Sequence, residues 1–255
     1  MNVLMFLPKR GHRLPALAAL VLGLLLVALP IVHALTFGSP IRITTNTGTS
    51  EFPSVAVVGS YVYIAWMDNT PVIGSGGTYE IWTRVSSNYG ASFGSPVRIT
   101  TNTGYSGDPS VAAVGSNVYV AWDDFTPVTG SGISSEIWMR VSSNYGASFG
   151  SAIRITTNTG NSINPSAATV GSNVYIAWQD NTPVTGSGSK YEVWLRASSN
   201  SGALFGSAIR ITTNTGDSYN PSVAAYGSYV CVTWDDDTAV AGSGSAAEVW
   251  LRRGS

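Results

Sequence analysis

Seven side chains, all in one kind of loop of a repeated sequence, could bind a ligand. They differ from copy to copy and are aromatic, amide or acidic: Phe52, Tyr105, Asp108, Asn164, Asp217, Tyr219 and Asn220. Aromatic rings stack on sugars or peptides, whereas amides and acids hydrogen-bond to their polar groups. The set therefore predicts a recognition site for a glycan or a protein. The alternative is neutral variation at exposed loop tips.

A run of three acids, Asp235, Asp236 and Asp237, is the place where a metal site is most plausible from sequence. Hard cations such as calcium need several oxygen ligands, and each loop supplies only one or two acids. The acids that end the equivalent strands, such as Asp124, are explained more simply as acceptors for loop amides. We therefore expect no cofactor, with calcium at this run as the alternative.

The candidate residues belong to a sequence that repeats every 56 positions. Trp66, Trp122, Trp178 and Trp234 share this spacing, and so do Trp82, Trp138, Trp194 and Trp250. The copies start at residues 37, 93, 149 and 205. A fixed period of this size predicts a modular array. With 11% charged residues and abundant Gly, the composition is typical of a β protein with many turns.

Each copy contains four strand signals in the same order, which we call a, b, c and d. In the second copy they are 109–114, 117–124, 136–142 and 152–157. Gly115-Ser116 between a and b is a hairpin signal. Strand b is apolar on both faces, and strand a has small side chains that suit an inner position. Four short antiparallel strands are the content of a propeller blade.

The order of the strands predicts how the array closes. The repeats begin with an unpartnered strand d, Pro40 to Thr45, and end with an a-b-c set whose last strand is Glu248 to Arg253. Pairing the first strand with the last would complete a four-bladed ring over residues 35–255 and remove two open edges. Two chains that join into a larger ring are the alternative.

The N-terminus has the pattern of an export signal. Basic residues precede an apolar run from Leu14 to Val32, and cleavage is predicted after Ala34. The alternative is an uncleaved membrane anchor, because the run is close to the ~20 residues that span a bilayer. In both cases the repeats are expected outside the cytoplasm, secreted or at the cell surface.

Removal of residues 1–34 limits the chemistry that remains. Both histidines lie in this segment together with three of the 13 basic residues, which leaves 10 Lys and Arg against 14 Asp and Glu. A nucleic-acid partner is not expected for a mildly acidic domain, and imidazole-based zinc or copper sites are excluded. Cys231 is the single cysteine, so no intrachain disulfide can form.

The turn between strands c and d carries a resemblance to a known family. An octet with Ser, Asn, Gly and Phe at fixed positions occurs three times, at Ser86, Asn88, Gly90, Phe93; Ser142, Asn144, Gly146, Phe149; and Ser198, Asn200, Gly202, Phe205. It resembles the Asp-box of the sialidase-like, or BNR-repeat, β-propellers, with Asn in place of Asp. The resemblance implies a structural turn that holds a hairpin away from the active site.

The same resemblance also bears on whether the protein is an enzyme. Sialidases of this superfamily clamp a carboxylate with three arginines and pair a tyrosine with an acid as nucleophile. Here arginines such as Arg84 and Arg98 recur in every copy, which indicates a structural role opposite Glu80 and its equivalents, and no Tyr–Glu pair unique to one copy is evident. We therefore expect a non-catalytic binding module. A sialidase-type glycoside hydrolase and a structural surface component are the alternatives.

Overall fold

The computed structural model describes residues 36–127, 129, 134–186, 188–239, 242 and 246–255. The chain divides into two units, Met1–Ile41 and Arg42–Ser255. The predicted export segment, residues 1–34, lies outside the described residues. In the described ranges, no helix has the length and apolar character needed to cross a membrane.

The second unit is all-β, as predicted, and its strands form four antiparallel sheets in chain order. The first three sheets have four strands each and the last has three. The strands are β1 Ser50–Val58, β2 Tyr61–Asp68, β3 Glu80–Ser86, β4 Val97–Arg98; β5 Ser106–Val114, β6 Asn117–Asp124, β7 Glu136–Ser142, β8 Ile153–Arg154; β9 Ser162–Val170, β10 Asn173–Asp180, β11 Glu192–Ser198, β12 Ile209–Arg210; and β13 Ser218–Tyr226, β14 Tyr229–Asp236, β15 Glu248–Gly254.

The hydrophobic core lies between successive sheets. In β6 both faces are buried, with Tyr119 on one side and Val120 on the other. Tyr63 and Ile81 of the first sheet pack in one cluster with Val118 and Trp122 of the second. The two-sided apolar pattern of strand b therefore has the predicted cause, because each inner sheet is covered on both faces.

The inner strands β1, β5, β9 and β13 are neighbours, and one repeated hydrogen bond joins them. The backbone amide of Val111 donates to Ser54 Oγ, and the amide of Ala167 donates to Ser110 Oγ, both at 3.0 Å. Val223 and Ser166 form the third such bond, also at 3.0 Å. Small side chains at these positions let the backbones approach one another.

The outer strands are shorter than predicted. The expected strand 152–157 is reduced to β8, Ile153–Arg154. The ladder stops because the amide of Ile137 donates to the hydroxyl of Thr156 at 2.8 Å instead of to a backbone carbonyl. The first and third sheets repeat this arrangement, since Thr100 and Thr212 make the same side-chain bond to β3 and β11.

The predicted pairing of Pro40–Thr45 with the last strand is not formed. Residues 36–45 contain no strand, and β15 pairs with β14 alone and is exposed along its length. On the first sheet Val55 is 64% exposed, whereas its equivalent Val111 is 6% exposed. Three contacts of the same kind join the four sheets in sequence, and in this structure β15 and the Val55 side of β1 stay exposed.

The octet turns have the structural role that was expected. Asn88 Oδ1 accepts from the amide of Ser92 at 2.9 Å and from Ser86 Oγ at 2.8 Å. The left-handed residues of the turn are Tyr89 and Gly90, with φ of 59° and 83°, and not Asn88. Asn144 and Asn200 make the equivalent bonds. These side-chain bonds replace backbone pairing and fix the hairpin.

Candidate functional site

Each inner strand contains a β-bulge, and the bulged residue has an unusual backbone. Phe52, Asp108, Asn164 and Asn220 have φ of 50°, 46°, 54° and 50°, and each is followed by proline. A left-handed conformation is uncommon for residues other than glycine and is disfavoured before proline. Bulges re-aim side chains, and strain of this kind concentrates at functional sites. We call these four residues the bulge row.

A second row, from strands β2, β6, β10 and β14, supports the bulge row. It consists of Met67, Asp123, Gln179 and Asp235, again 56 positions apart. Gln179 Oε1 accepts from the side chain of Asn164 at 3.2 Å and from the backbone amide of Asn220 at 2.7 Å. Gln179 therefore links its own sheet to the next one.

The amide side chains of the bulge row are themselves connected. Asn164 Nδ2 donates to Asn220 Oδ1 at 3.1 Å, and Asn220 Nδ2 donates to Asp235 Oδ2 at 3.1 Å. Asn220 is exposed, Asn164 is half-buried and Phe52 is 57% exposed. Asn164, Asn220 and Asp235 thus form a hydrogen-bonded polar line on the third and fourth sheets, and Asp123 of the second sheet extends this line through the backbone of Asn164.

Asp108 and Asp123 form a carboxyl pair within this line. Burial raises the pKa of Asp108, and burial followed by repulsion from Asp108 raises the pKa of Asp123 to about 8. Ser135 Oγ donates to Asp123 Oδ2 at 3.2 Å. Two neighbouring buried carboxyls cannot both ionise cheaply, so the pair holds a proton to higher pH than an isolated acid does.

Tyr105 and Tyr79 form an aromatic cluster beside the carboxyl pair. Their rings meet edge to face with centroids 5.8 Å apart. Burial, followed by the charge of Asp108, raises the pKa of Tyr105 to about 12. Tyr79 Oη donates to Glu51 Oε2 at 3.2 Å. The expectation that no Tyr–Glu pair is unique to one copy is therefore wrong, since the start of β1 and the loop before β3, 28 residues apart, bring this pair together.

Asp217 and Tyr219 lie in a separate cluster on the loops between the third and fourth sheets. Asp217 accepts from Lys190 Nζ and from the backbone amide of Tyr191, both at 2.7 Å. Although burial opposes it, the bond from Lys190 holds the pKa of Asp217 below its usual range. Tyr219 packs at a tilt on Tyr191, with centroids 5.6 Å apart. This cluster flanks the row and does not contain its members.

Each of the three consecutive acids accepts hydrogen bonds from different donors. Asp235 accepts from Asn220, and Asp237 accepts from the backbone amide of Asp217. Asp236 is buried and accepts from four donors, which are Asn214 Nδ2, Ser218 Oγ, Trp234 Nε1 and the amide of Thr238. Over the described ranges, no three His, Cys, Asp or Glu side chains are grouped to hold a metal ion.

The repeated arginines are bound within the sheets. Arg98, Arg154 and Arg210 pair with Glu80, Glu136 and Glu192 at 2.8, 2.7 and 2.6 Å. This confirms the predicted structural role. In the other set, the guanidinium groups of Arg84, Arg196 and Arg252 donate to carbonyls of the preceding segment, at Ile43, Ile155 and Ile211.

Sequence reasoning missed Asp123 and Gln179, the two buried polar members of the supporting row. A signal for them exists. Position 67 and its equivalents read Met, Asp, Gln and Asp within a strand that is otherwise closely repeated. Variation at a buried position of a repeated strand indicates that the position faces something that differs from sheet to sheet.

No protein-family model and no curated protein matches this sequence. Solved structures do match. The sialidase of Trypanosoma rangeli in complex with sialic acid is 13% identical, with a TM-score of 0.56 over 80% of this chain and 36% of the sialidase. The α-L-arabinanase of Penicillium chrysogenum with arabinobiose is 11% identical, with a TM-score of 0.59 over 80% and 62%. This chain has the sialidase-like β-propeller fold.

A third sialidase-like structure, the GH93 α-L-arabinofuranosidase of Fusarium graminearum with arabinobiose, is 13% identical, with a TM-score of 0.58. The sialidase-like fold is thus shared with proteins that bind sugars. This chain covers 62% of the arabinofuranosidase and 36% of the sialidase. At such identities the likeness shows the fold alone, and what this sialidase-like propeller binds has to be argued from its own residues.

Proposed function

We propose that this protein is an exported, non-catalytic binding propeller that recognises a neutral glycan through the bulge row. The observation that carries the proposal is the hydrogen-bonded line Asn164, Asn220 and Asp235, in which Asn164 and Asn220 have strained left-handed backbone. The N-terminal pattern of an export signal supports a secreted or cell-surface location.

A glycan fits this line better than an apolar ligand. Amide and carboxyl groups present both donors and acceptors, which is what a row of sugar hydroxyls requires. Phe52 is exposed, and Tyr79 and Tyr105 lie nearby, so sugar rings have aromatic faces to stack on. The similar solved structures were determined with sialic acid and arabinobiose, which supports a sugar as the ligand class.

A neutral glycan fits better than an acidic one. The bulge row carries the carboxyl of Asp108 and the supporting row carries those of Asp123 and Asp235, and even with one proton held by the Asp108–Asp123 pair this surface would repel an anionic sugar. The guanidinium groups of Arg98, Arg154 and Arg210 are held by buried glutamates. A carboxylate clamp needs free guanidinium groups that converge on one point, and such a cluster is not found in the described part of the protein.

Hydrolysis is the second candidate, because the structure brings together the Asp108–Asp123 and Tyr79–Glu51 pairs. In glycosidases, however, the two carboxyls stand roughly 5–9.5 Å apart, on either side of the scissile bond. Asp108 and Asp123 are instead close enough to shift each other's pKa, and Asp123 is 4% exposed. This geometry favours binding over catalysis.

A glycan array with the purified protein tests the proposal. We expect selective binding of neutral oligosaccharides that falls at least tenfold in an Asn164→Ala/Asn220→Ala double variant. Asn144→Ala is the matched control, because this residue lies in a turn at the opposite end of the sheets. Binding that survives the double variant would contradict the proposed surface.

Two further outcomes separate the alternatives. Turnover of fluorogenic sialosides or arabinofuranosides that is lost in Asp108→Asn would establish the hydrolase instead. If the purified protein binds no glycan selectively and self-associates instead, the structural surface component is favoured.

A further inference from the structure

The last sheet exposes apolar side chains that the repeat buries everywhere else. In β15, Val249 is 77% exposed and Leu251 is 59% exposed. The residues at the equivalent positions of the other three sheets are at most 4% exposed, and they are Ile81, Ile137 and Val193 for the first position and Thr83, Met139 and Leu195 for the second. An exposed apolar face of this kind marks a surface that another protein element covers.

The first sheet has an open groove that matches this face. The groove has a volume of about 420 Å³, and its apolar lining includes Val55, Ile64 and Trp66. On the second sheet the equivalent side chains are covered by Ile81 of the first sheet, which packs in one cluster with Val111, Val120 and Trp122. By the same repeat, the groove on the first sheet is the place where Val249 fits.

Residues 41–44 have the sequence of an outer strand but belong to no sheet. They read Ile-Arg-Ile-Thr, exactly the text of 153–156 and 209–212, yet residues 36–45 contain no strand. The backbone carbonyl of Ile43 accepts from the guanidinium of Arg84, as the carbonyls of Ile155 and Ile211 accept from Arg196 and Arg252. Ile43 is therefore held against the first sheet in the position that follows the outer strand of a preceding sheet.

The charges of the two ends match as well. In the first three sheets, a glutamate of the third strand pairs with an arginine of the outer strand: Glu80 with Arg98, Glu136 with Arg154 and Glu192 with Arg210. The fourth members of these two series are Glu248 on β15 and Arg42, and both are exposed. The register of the third sheet, in which Trp194 lies opposite Arg210, would place Arg42 opposite Trp250 and within reach of Glu248.

We propose that a second copy of this chain covers the exposed ends, so that residues 41–44 of one copy form the outer strand on β15 of the other. The same contact brings Val249 into the groove of the first sheet and lets Ser222 Oγ accept from the amide of Val55, as at the three internal junctions. A second copy is favoured over closure within one chain. The three internal junctions already have these contacts while both ends stay exposed, so closure within one chain would require those junctions to change.

The proposed contact is head-to-tail, because its two surfaces are different and each copy carries one of each. Such contacts repeat until the copies close into a ring, and two copies are the smallest ring. Added main-chain hydrogen bonds and the burial of apolar side chains stabilise the contact. The inference rests on the ends of the array and not on a ligand, so it does not depend on the function proposed above, and self-association is expected together with glycan binding.

Sedimentation equilibrium of the purified protein, without any sugar, measures the association. We expect masses of two or more chains that fall to one chain on dilution, and the stability of single chains is compared below this range, where Ser222 has no partner. Val249→Asp should weaken association roughly tenfold or more, because it would bury a charge in the apolar groove. The thermal midpoint of the diluted variant should stay unchanged, since Val249 is exposed in the single chain. Ile73→Asp, at a side chain that is 99% exposed, is the control and should associate like the original protein.

An exchange of charges separates a second copy from closure within one chain. Arg42→Glu alone places two glutamates at the junction, and Glu248→Arg alone places two arginines there. We expect each variant to associate roughly tenfold or more weakly than the original protein, because like charges meet in a contact that excludes water. An equimolar mixture of the two variants has opposite charges at every junction between unlike chains, so it should associate as the original protein does. Closure within one chain gains nothing from mixing.

Three results would overturn the proposed contact. The first is a single-chain mass at every concentration up to the solubility limit. The second is association that Val249→Asp leaves unchanged, because this would place the contact on another surface. The third is weakened association in the two charge variants that mixing does not restore. Loss of glycan binding in Asn164→Ala/Asn220→Ala with intact self-association supports both proposals, whereas self-association without any glycan binding contradicts only the proposed function.

Discussion

The backbone amide of Val111 donates a hydrogen bond to the hydroxyl of Ser54 on the neighbouring sheet, at 3.0 Å. The two residues are 57 positions apart, one repeat and one residue. Ala167 with Ser110 and Val223 with Ser166 repeat the contact. Ser222 occupies the same position on the last sheet, where it is exposed, and on the first sheet Val55 is also exposed.

Removing one of these serine hydroxyls should weaken the array. Ser110→Ala leaves the amide of Ala167 without its acceptor, and we expect a loss of about 1 kcal/mol in the free energy of unfolding. Ser222→Ala is the matched control and should change stability by less than about 0.5 kcal/mol. Chemical denaturation measures both. Equal losses would show that Ser222 meets Val55 in solution, as the predicted closed ring requires.

The buried acid at the end of each second strand should be essential for folding. Asp124 is 3% exposed and accepts four hydrogen bonds, from Asn102, Ser106, Trp122 and Thr126. Asp124→Ala leaves these donors without an acceptor, so we expect the free energy of unfolding to fall by about 3–5 kcal/mol. Denaturant melts measure it. Phe125→Ala, at the exposed neighbour, should cost about 1 kcal/mol or less, and similar losses in both would refute this role for Asp124.

The Asp108–Asp123 pair should make stability depend on pH. Because the pKa of Asp123 is raised to about 8 in the folded protein, the folded state holds a proton that the unfolded state releases above about 4. The contribution is therefore complete below about 4 and is lost as pH rises through about 8. Thermal unfolding between these limits measures it.

Asp123→Asn should remove this dependence, because an amide donates to Asp108 at every pH. Relative to the original protein, we expect the variant to gain about 2 kcal/mol between mildly acidic and mildly alkaline pH, or roughly 4–8 °C in midpoint. Asp237→Asn, an exposed acid nearby, is the control and should follow the original curve. Parallel curves for Asp123→Asn would mean that the pair does not share a proton.

Relief of backbone strain in the bulge row should cost function while sparing stability. Phe52 has φ of 50° and precedes Pro53, yet its ring is 57% exposed. Phe52→Gly removes the steric penalty and the ring together, so we expect a stability change between neutral and a gain of about 1 kcal/mol. Glycan binding should fall, as array titration will measure. Phe52→Ala keeps the strain and should be the less stable of the two.

Much of the architecture was predictable because it is local and repeated. Strand 117–124 and strand 136–142 have the predicted bounds, since alternating apolar residues between turn signals define a strand without reference to its partners. Strand 152–157 is shorter than predicted, because the hydroxyl of Thr156 accepts from the amide of Ile137 and ends the strand early. That contact depends on a residue 19 positions away.

The site was predictable only in part. Differences between copies indicated Asp108, Asn164 and Asn220, which the bulges do bring into one row. They did not indicate that Asp217 and Tyr219 would pair with Lys190 and Tyr191 in another cluster. They also gave no sign of the Tyr79–Glu51 pair, because Glu51 lies at the start of β1 and Tyr79 in the loop before β3, 28 residues later.

The amino-acid sequence by itself determined the four-fold repeat, the all-β class and the strand order, because periodicity and turn chemistry act over a few residues. Only the tertiary structure decided that β15 has no strand partner beyond β14, and that Asp108 and Asp123 become buried neighbours. These features depend on burial and on how the sheets pack against one another, which the strand patterns along the sequence do not contain.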